Sequence, residues 1–439
     1  MGVVNNKKIE RQAVVIIHGM GEQKPMDTLR NFAKNIKNHL STTDETERTS
    51  TLRSKPDGVS ATYETRMLSL SGTRNRPITD FYEFYWAHNM RDTTFAHTTN
   101  WLSHLVFISP NKVPTRQLPL YYTIWAIFIL LLTIPFVLWF AFGIKKTEFI
   151  FTSIVAIPFI MLIIGLIQKN ISNLFLSTAG DAARYFNPIP SNIEQRNTIR
   201  RQGIEFLKQL HKEDKYDRVI IVAHSLGTAV AYDLLRLLWT EYNECFDKNE
   251  TIIQDLVKDL NEFAKDPNTI NDINNFQQLQ YKVWQEWRGI GNPWLITDFI
   301  TLGAALCSID YLYPTNQKFS TLIQEREFPT CPPIVDEKDH SIYYNSAPFD
   351  IEDGQKRTVK HLHHAALFAI TRWTNIFFTS DFVGSTAQRI FNRGVNDIPL
   401  PRKSLWFIPG GHTNYWDVKS TDSLNAITNA LKLRRDNNI

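Results

Sequence analysis

Short, uniformly apolar runs alternate along this chain with longer stretches that carry one apolar face at helical spacing. Residues 13–17, "AVVII", have the pattern of a strand covered on both faces. They lead into "HGMGEQKPMDTLRNFAKNI", a glycine-punctuated loop and then an amphipathic helix with Asp27 or Thr28 at its cap. A second strand is expected in "FYEFYWA", 81–87, and a helix with one polar face over 192–211. "RVIIVAHSLGTAVAYDLL", 218–235, reads as a buried strand turning directly into a helix. Residues 241–280 are charged and Asn-rich without a strong apolar stripe, and suggest a surface excursion or cap. "DFITLGAAL" (298–306) and "TNIFFTSDFVG" (374–384) are further strand candidates. "KSLWFIPGGH" (403–412) supplies a last one, and a terminal helix starts near Ser423. No internal repeat interrupts this order. Strands alternating with helices predict an α/β fold, a mostly parallel sheet with helices on both faces.

The middle of the chain breaks the pattern. Between Arg116 and Lys145 no charged residue occurs, and after "KKTE" a second uncharged run extends from Phe149 to Gln168. A helix needs about 20 apolar residues to cross a bilayer, so each run suffices and the tight connection makes a transmembrane helical hairpin. Tyr121, Tyr122, Trp125 and Trp139 suit its interfaces, and Pro135 and Pro158 are tolerable inside it. A pair of buried core helices is the alternative, but soluble helices seldom stay uncharged on every face for so long. Lys112, Arg116, Lys169 and Arg184 flank the hairpin, against Lys145 and Lys146 in its loop. That slight excess places both flanking arms in the cytoplasm, giving a two-pass membrane protein with its catalytic domain on that side. The expected organisation is one part of the α/β domain over 1–115, the hairpin over 116–170, and the second part over 171–439 with a cap or surface insertion near 241–290.

Composition narrows the chemistry. The apolar fraction of 43% and charged fraction of 21% over 439 residues are those of a foldable chain with an ample core. A net charge of +4 with no basic block interleaved with aromatics gives nucleic-acid binding no support. Cys245, Cys307 and Cys331 are scattered without metal-ligand spacing and argue against a disulfide framework. "MGVVNNKKIERQ" lacks the apolar stretch of a cleavable signal peptide, and Asn6 stands where myristoylation expects Ser or Thr. The run "HLHH" at 361–364 would put His361 and His364 on one face of a helix, but no nearby Cys or paired carboxylate completes a metal site. Trp284, Trp287 and Trp373 are simplest as core residues.

The candidate chemistry sits at "AHSLG", 223–227. A serine hydroxyl is a poor nucleophile at neutral pH and needs a base within hydrogen-bond reach, itself oriented by a carboxylate. A sharp strand-to-helix turn with small flanking residues presents such a serine, and here Ala223 and Gly227 flank Ser225. The helix N-terminus adds free N–H groups facing developing negative charge. The loop after the first strand, His-Gly-x-Gly, stands where a second oxyanion donor is needed. The backbone N–H groups of Met20 and Leu226 are the expected pair. Asp381, just past "NIFF", is the candidate acid and His412, in "PGGHTNYW", the candidate base. Asp397 and Asp417 are rivals for the acid. Asp417 lies only five positions beyond His412, and Asp397 has no strand before it. His224 is expected to pack in the turn or face the pocket mouth, and His18 to hold the loop in shape by hydrogen bonding, neither moving a proton.

These features resemble the α/β-hydrolase superfamily of serine lipases and esterases. They resemble more narrowly a poorly characterised group of bacterial hydrolases sharing "HGMGEQ", "EFYWAH", "HSLGT" and "RWTNIFF". The resemblance covers roughly residues 13–240 without the hairpin and 281–420. It implies the α/β-hydrolase fold, with Ser225 as nucleophile, His412 as general base and Asp381 as orienting acid. It implies hydrolysis of a carboxylic ester through an acyl-enzyme, with no cofactor and no metal. Ala223 departs from the usual glycine, a common variant. The hairpin is not a superfamily feature; a bilayer anchor through residues 118–168 suggests a lipid or other membrane-associated acyl ester as substrate, and equally could serve location alone. Two other readings stay open: an acyltransferase using the same triad, and a non-catalytic membrane scaffold.

Overall fold

The computed structural model describes residues 9–19, 24–90, 109–113, 185–187, 190–248, 252–313, 317–350, 356–401 and 411–433, apart from single positions 44, 61, 75 and 382, with scattered helical positions between 118 and 140. The expected hairpin, 116–170, thus falls almost wholly outside the described residues, as do Met20 and most of the run 403–412. Among the described residues no helix is long and apolar enough to cross a membrane.

The chain divides into two compact units. The first comprises Met1–Asn89, Asn197–Asp310 and Thr315–Ile439. It is built on strands β1 (Arg11–Ile17), β2 (Leu52–Pro56), β3 (Arg66–Leu70), β4 (Ile78–Phe84), β5 (Arg218–His224) and β6 (Ile296–Leu302). Two small ribbons follow, pairing β7 (Tyr343–Asn345) with β10 (Lys360–Leu362) and β8 (Phe349–Asp350) with β9 (Lys356–Arg357). β11 (Arg372–Phe378) and β12 (Asn396–Leu400) complete the set. The main sheet has eight strands in the order β12-β11-β6-β5-β1-β4-β3-β2. All neighbours from β12 to β4 run parallel, and β3 and β2 join antiparallel. This is the mostly parallel α/β architecture that the alternation of runs predicts.

Both faces of the sheet are covered at its centre, which is why β1, β4, β5, β6 and β11 are buried almost throughout. Helix α1 (Asp27–Thr43) presents Leu29, Phe32, Ala33, Ile36 and Leu40, spaced by three and four, to Val14 and Ile16 of β1, Ile220 and Val222 of β5, and Ile300 and Leu302 of β6. The opposite face receives α2 (Pro190–Lys212), α3 (Gly227–Tyr242) and α5 (Ile273–Gly289), while α4 (Leu256–Lys265) packs on α5. There Tyr232 of α3 and Phe299 of β6 pack at a tilt against Trp373 of β11, ring centroids 5.9 and 5.1 Å apart. Terminal helix α6 (Thr421–Ala430) adds Leu424 and Ile427 to the α1 side. α5 is an integral layer rather than a loose excursion: Gln277 and Gln280 are buried and donate to the carbonyls of Trp373 and Phe368. Its apolar stripe is short in sequence because amides take up part of the buried face.

The second unit comprises Met90–Arg196 and Tyr311–Pro314. Its described part includes a short 3-10 turn, Pro110–Lys112, and Tyr185 packed edge-on against Phe186 at 5.9 Å. The Tyr185 carbonyl accepts from Arg196 at 3.2 Å.

Within the first unit the winding reverses at one place. From β1 the sheet grows toward β4 on one side, and after a crossover toward β5, β6 and β11 on the other. The registers Ile17↔Ala223, His224↔Leu302 and Leu302↔Ile376 bring the carboxyl ends of these strands level. In open parallel sheets such a reversal leaves a crevice at the carboxyl ends, where ligands bind.

Candidate active site

At that reversal β5 ends in His224 and the chain enters α3 within two residues. Ser225 carries the turn at φ +54°, in the left-handed region that a residue with a β-carbon rarely occupies. Neighbouring main chain holds it there. Its N–H donates to the Leu302 carbonyl at 3.1 Å, and its own carbonyl accepts from the Thr228 N–H at 3.1 Å and hydroxyl at 2.6 Å and from Ala305 N–H at 3.3 Å. Close approach is possible because glycines stand around the turn. A β-carbon on Gly19 would lie 2.9 Å from Cβ of Ser225, and one on Gly227 would lie 2.3 Å from the His18 carbonyl oxygen.

The predicted residues meet here. His412 Nε2 is 2.8 Å from Ser225 Oγ, and His412 Nδ1 is 2.9 and 3.1 Å from the two oxygens of Asp381. The Nδ1–H therefore donates to the carboxylate, and Nε2 offers its lone pair to the serine hydroxyl. All three side chains are buried. Asp381 follows β11 in a turn where its N–H donates to the Phe378 carbonyl at 3.0 Å. Burial would raise its pKa, but the facing His412 ring, the Tyr415 hydroxyl and the Val383 N–H outweigh it and hold the acid down at about 2. The carboxylate lies against two glycines: a β-carbon on Gly303 (φ +53°) would come within 2.7 Å of its Oδ2, and one on Gly384 within 3.0 Å.

The rival carboxylates are occupied elsewhere. Asp397 lies in edge strand β12, where it accepts from Asn375, the Thr386 hydroxyl and the N–H groups of Ala387 and Gln388. Asp417 is exposed and accepts from the Lys419 N–H at 2.8 Å. The chain places Asp397 inside a strand of its own, where the sequence pattern shows none.

Leu226 caps α3, and among the described residues no carbonyl accepts its N–H. The other expected oxyanion donor, Met20, lies outside the described residues. The entry to its loop is described. His18 is buried, stacks flat on Trp86 at 5.3 Å, takes the Trp86 main-chain N–H on Nε2 at 3.3 Å, and donates Nδ1–H to the Gly19 carbonyl at 2.8 Å. Burial pushes its pKa down to about 4, so the ring is neutral at ordinary pH. Trp86 Nε1–H in turn donates to the His18 carbonyl at 3.0 Å. His18, which opens "HGMGEQ", and Trp86 of "EFYWAH" thus clamp each other. At the far end of the loop the Met26 N–H donates to the buried Glu83 carboxylate at 2.7 Å.

Tyr415 was not singled out by the sequence. It is fully buried, its hydroxyl donates to Asp381 Oδ2 at 2.6 Å, and it accepts from the Phe378 N–H at 3.2 Å. Its position three residues beyond His412 was the available clue. The "HLHH" run is not helical: β10 covers 360–362, and His363 Nε2 meets the Ile334 carbonyl at 2.9 Å. Among the described residues no group of three or more His, Cys, Asp or Glu side chains could hold a metal ion. All three cysteines are free, with Cys307 and Cys331 buried. Compared with protein-family models, with curated proteins and with solved structures, the chain shows no match.

Proposed function

We propose that the chain is a serine hydrolase of the α/β-hydrolase fold that cleaves a carboxylic ester through an acyl-enzyme. The observation that carries this reading is the continuous hydrogen-bonded line Ser225–His412–Asp381, at 2.8 and 2.9 Å, on a strained turn at the sheet's reversal. Ser225 Oγ attacks the ester carbonyl while His412 Nε2 takes its proton. The imidazolium so formed is stabilised by Asp381, which is ionised at every working pH because its pKa is held at about 2. The oxyanion is held by the Leu226 N–H at the start of α3, with the loop after β1 as the source of a second donor. His412 returns the proton to the leaving alcohol. Water then enters, gives a proton to the same nitrogen and adds to the acyl carbon; the acid leaves as the bond to Ser225 Oγ breaks, and His412 returns that proton to Oγ. Every step uses side chains and main-chain amides of this chain.

The substrate we propose is a lipid or another membrane-associated acyl ester. Its support is the pair of uncharged runs between Arg116 and Gln168, which would anchor the hydrolase as a two-pass protein beside such a substrate. Labelling full-length protein with a fluorophosphonate, wild type against Ser225→Ala, tests the nucleophile. The reading requires labelling of wild type alone, and well-folded wild type that stays unlabelled would refute it. Recovery of the labelled chain in membranes, lost on deleting 116–170, tests the anchor.

A further inference from the structure

His224, beside the nucleophile, is tied to the base rather than to the serine. Its Nε2 lies 2.8 Å from the main-chain carbonyl oxygen of His412. A carbonyl only accepts, so Nε2 carries the proton and Nδ1 the lone pair. The half-buried ring is packed from several sides: its centroid is 4.9 Å from the His412 ring, 5.1 Å from Trp416 and 5.8 Å from Tyr415. Its Nδ1 edge faces Gly19, where a β-carbon would come within 3.2 Å. The ring therefore stands between the loop after β1 and the loop that carries the base.

His412 lies in a turn followed by "TNYWDVK", and its side chain must meet two partners at once, Ser225 and Asp381. The side-chain bond to Asp381 orients the imidazole, but the point from which it reaches out is set by its main chain. We infer that His224 is a positioning residue for the reaction: its Nε2–H latches the His412 carbonyl and so sets the distance from His412 Nε2 to Ser225 Oγ. This inference rests on the serine-hydrolase reading of the same site. The latch is suited to its neighbour's chemistry. His412 becomes cationic in each half-reaction, and a second cation 4.9 Å away would oppose that. Burial, then the nearby His412, hold His224 down at about 3, so it stays neutral while His412 cycles.

The test is steady-state hydrolysis of p-nitrophenyl butyrate by full-length wild type, His224→Ala and His224→Gln, with pH profiles and melting curves for each. Displacing a reacting group by an ångström costs about 100-fold, so His224→Ala is expected to lower kcat by about 10- to 100-fold with KM nearly unchanged. His224→Gln, whose amide can donate to the same carbonyl, should recover most of that loss. The pH limb due to His412 should stay in place in both variants. An Ala variant with wild-type kcat overturns the inference, as does a loss that Gln fails to rescue. Disappearance of the pH limb in the Ala variant would make His224 the base itself and overturn it too. Wild type inert toward the ester and unlabelled by fluorophosphonate overturns the hydrolase reading and this inference with it. An active wild type with an unaffected Ala variant overturns the inference alone.

Discussion

Gly227 lies so close to His18 that a β-carbon added to it would fall 2.3 Å from the His18 carbonyl oxygen and 2.5 Å from that of Ile17. Neither oxygen can yield easily, since Ile17 ends β1 and His18 is clamped by Trp86. The first turn of α3 is thus seated directly on the end of β1, and that seating carries Ser225 to the sheet's reversal. Gly227→Ala is expected to cost about 2–3 kcal/mol in urea unfolding, the scale of overpacking against unyielding neighbours. Gly203→Ala is the control: its β-carbon would meet the methyl groups of Leu234 at 2.4 and 2.6 Å, which can rotate away. A smaller loss is expected there.

The backbone of Ser225 gives a second expectation. At φ +54° a side chain costs about 1–2 kcal/mol, whereas glycine is unstrained but loses about 0.5–1 kcal/mol more entropy on folding. Ser225→Ala and Ser225→Gly both remove the hydroxyl and both should lose fluorophosphonate labelling. Of the two inactive variants, Gly should be the more stable by about 0.5–1 kcal/mol in thermal or urea unfolding. An Ala variant as stable as Gly would mean that the turn relaxes once the hydroxyl is gone.

How far the sequence leads can be judged from particular elements. β1, β4, β5, β6 and β11 are buried on both faces, and the apolar stretches within them mark them without tertiary information, although β4 also buries Asp80 and Glu83 and β11 buries Arg372 and Asn375. β2 is mostly exposed, with Arg53, Ser54 and Lys55 in succession, and an edge strand with that composition resembles a loop. β12, "NDIPL", hides for a similar reason, with a proline that an edge can tolerate. Ser225, Asp381 and His412 were nameable because each stands in a turn after an apolar run or in a glycine-loosened loop. Tyr415 and the latch at His224 were not. Each acts through a contact across more than thirty positions of chain, to Asp381 and to the His412 carbonyl, and no local spacing encodes such a contact.

The choice between carboxylates can be checked directly. Asp381→Asn keeps the shape of the site but turns the His412 tautomer, and the proposed mechanism then loses about four orders of magnitude in kcat. Asp397→Asn should leave kcat nearly untouched while lowering stability, because that carboxylate accepts the N–H groups of Ala387 and Gln388 and the amide of Asn375. Esterase kinetics beside unfolding curves separate the two. Equal kinetic losses would contradict the assignment of the acid to Asp381.

Glu83 sets a pH dependence of stability. It is fully buried, its Oε2 accepts from the Met26 N–H, and its Oε1 has no partner among the described residues. Burial raises its pKa from 4.5 to about 7 in the folded chain. A carboxyl whose folded pKa is raised favours the folded state fully below pH 4.5, and that contribution is lost as pH climbs through 7. The loss amounts to about 3 kcal/mol from pH 4.5 to above 7. Glu83→Gln cannot ionise and should flatten the stability profile over that window, gaining on wild type as pH rises. Parallel profiles for the two proteins would show that Glu83 does not titrate there.

Tyr415 supplies the last expectation, and its sign runs the other way. The hydroxyl donates to Asp381 Oδ2 at 2.6 Å and accepts the Phe378 N–H, so Tyr415→Phe removes a donor to the carboxylate and an acceptor for that amide. A hydrogen bond to a charged group contributes about 1.5–3 kcal/mol, and a loss of that size is expected at neutral pH. Asp381 stabilises the fold through its ionised form, from above pH 3.8 down toward its folded pKa of about 2. The deficit of the Phe variant should therefore be full above pH 4 and narrow as pH falls toward 2, where wild type loses the same interaction by protonation. Activity should fall by about tenfold in kcat with little change in KM, since the hydroxyl supports Asp381 and touches no reacting atom. A Phe variant whose deficit is the same at pH 2 and pH 7 would show that Tyr415 only fills space beneath the triad.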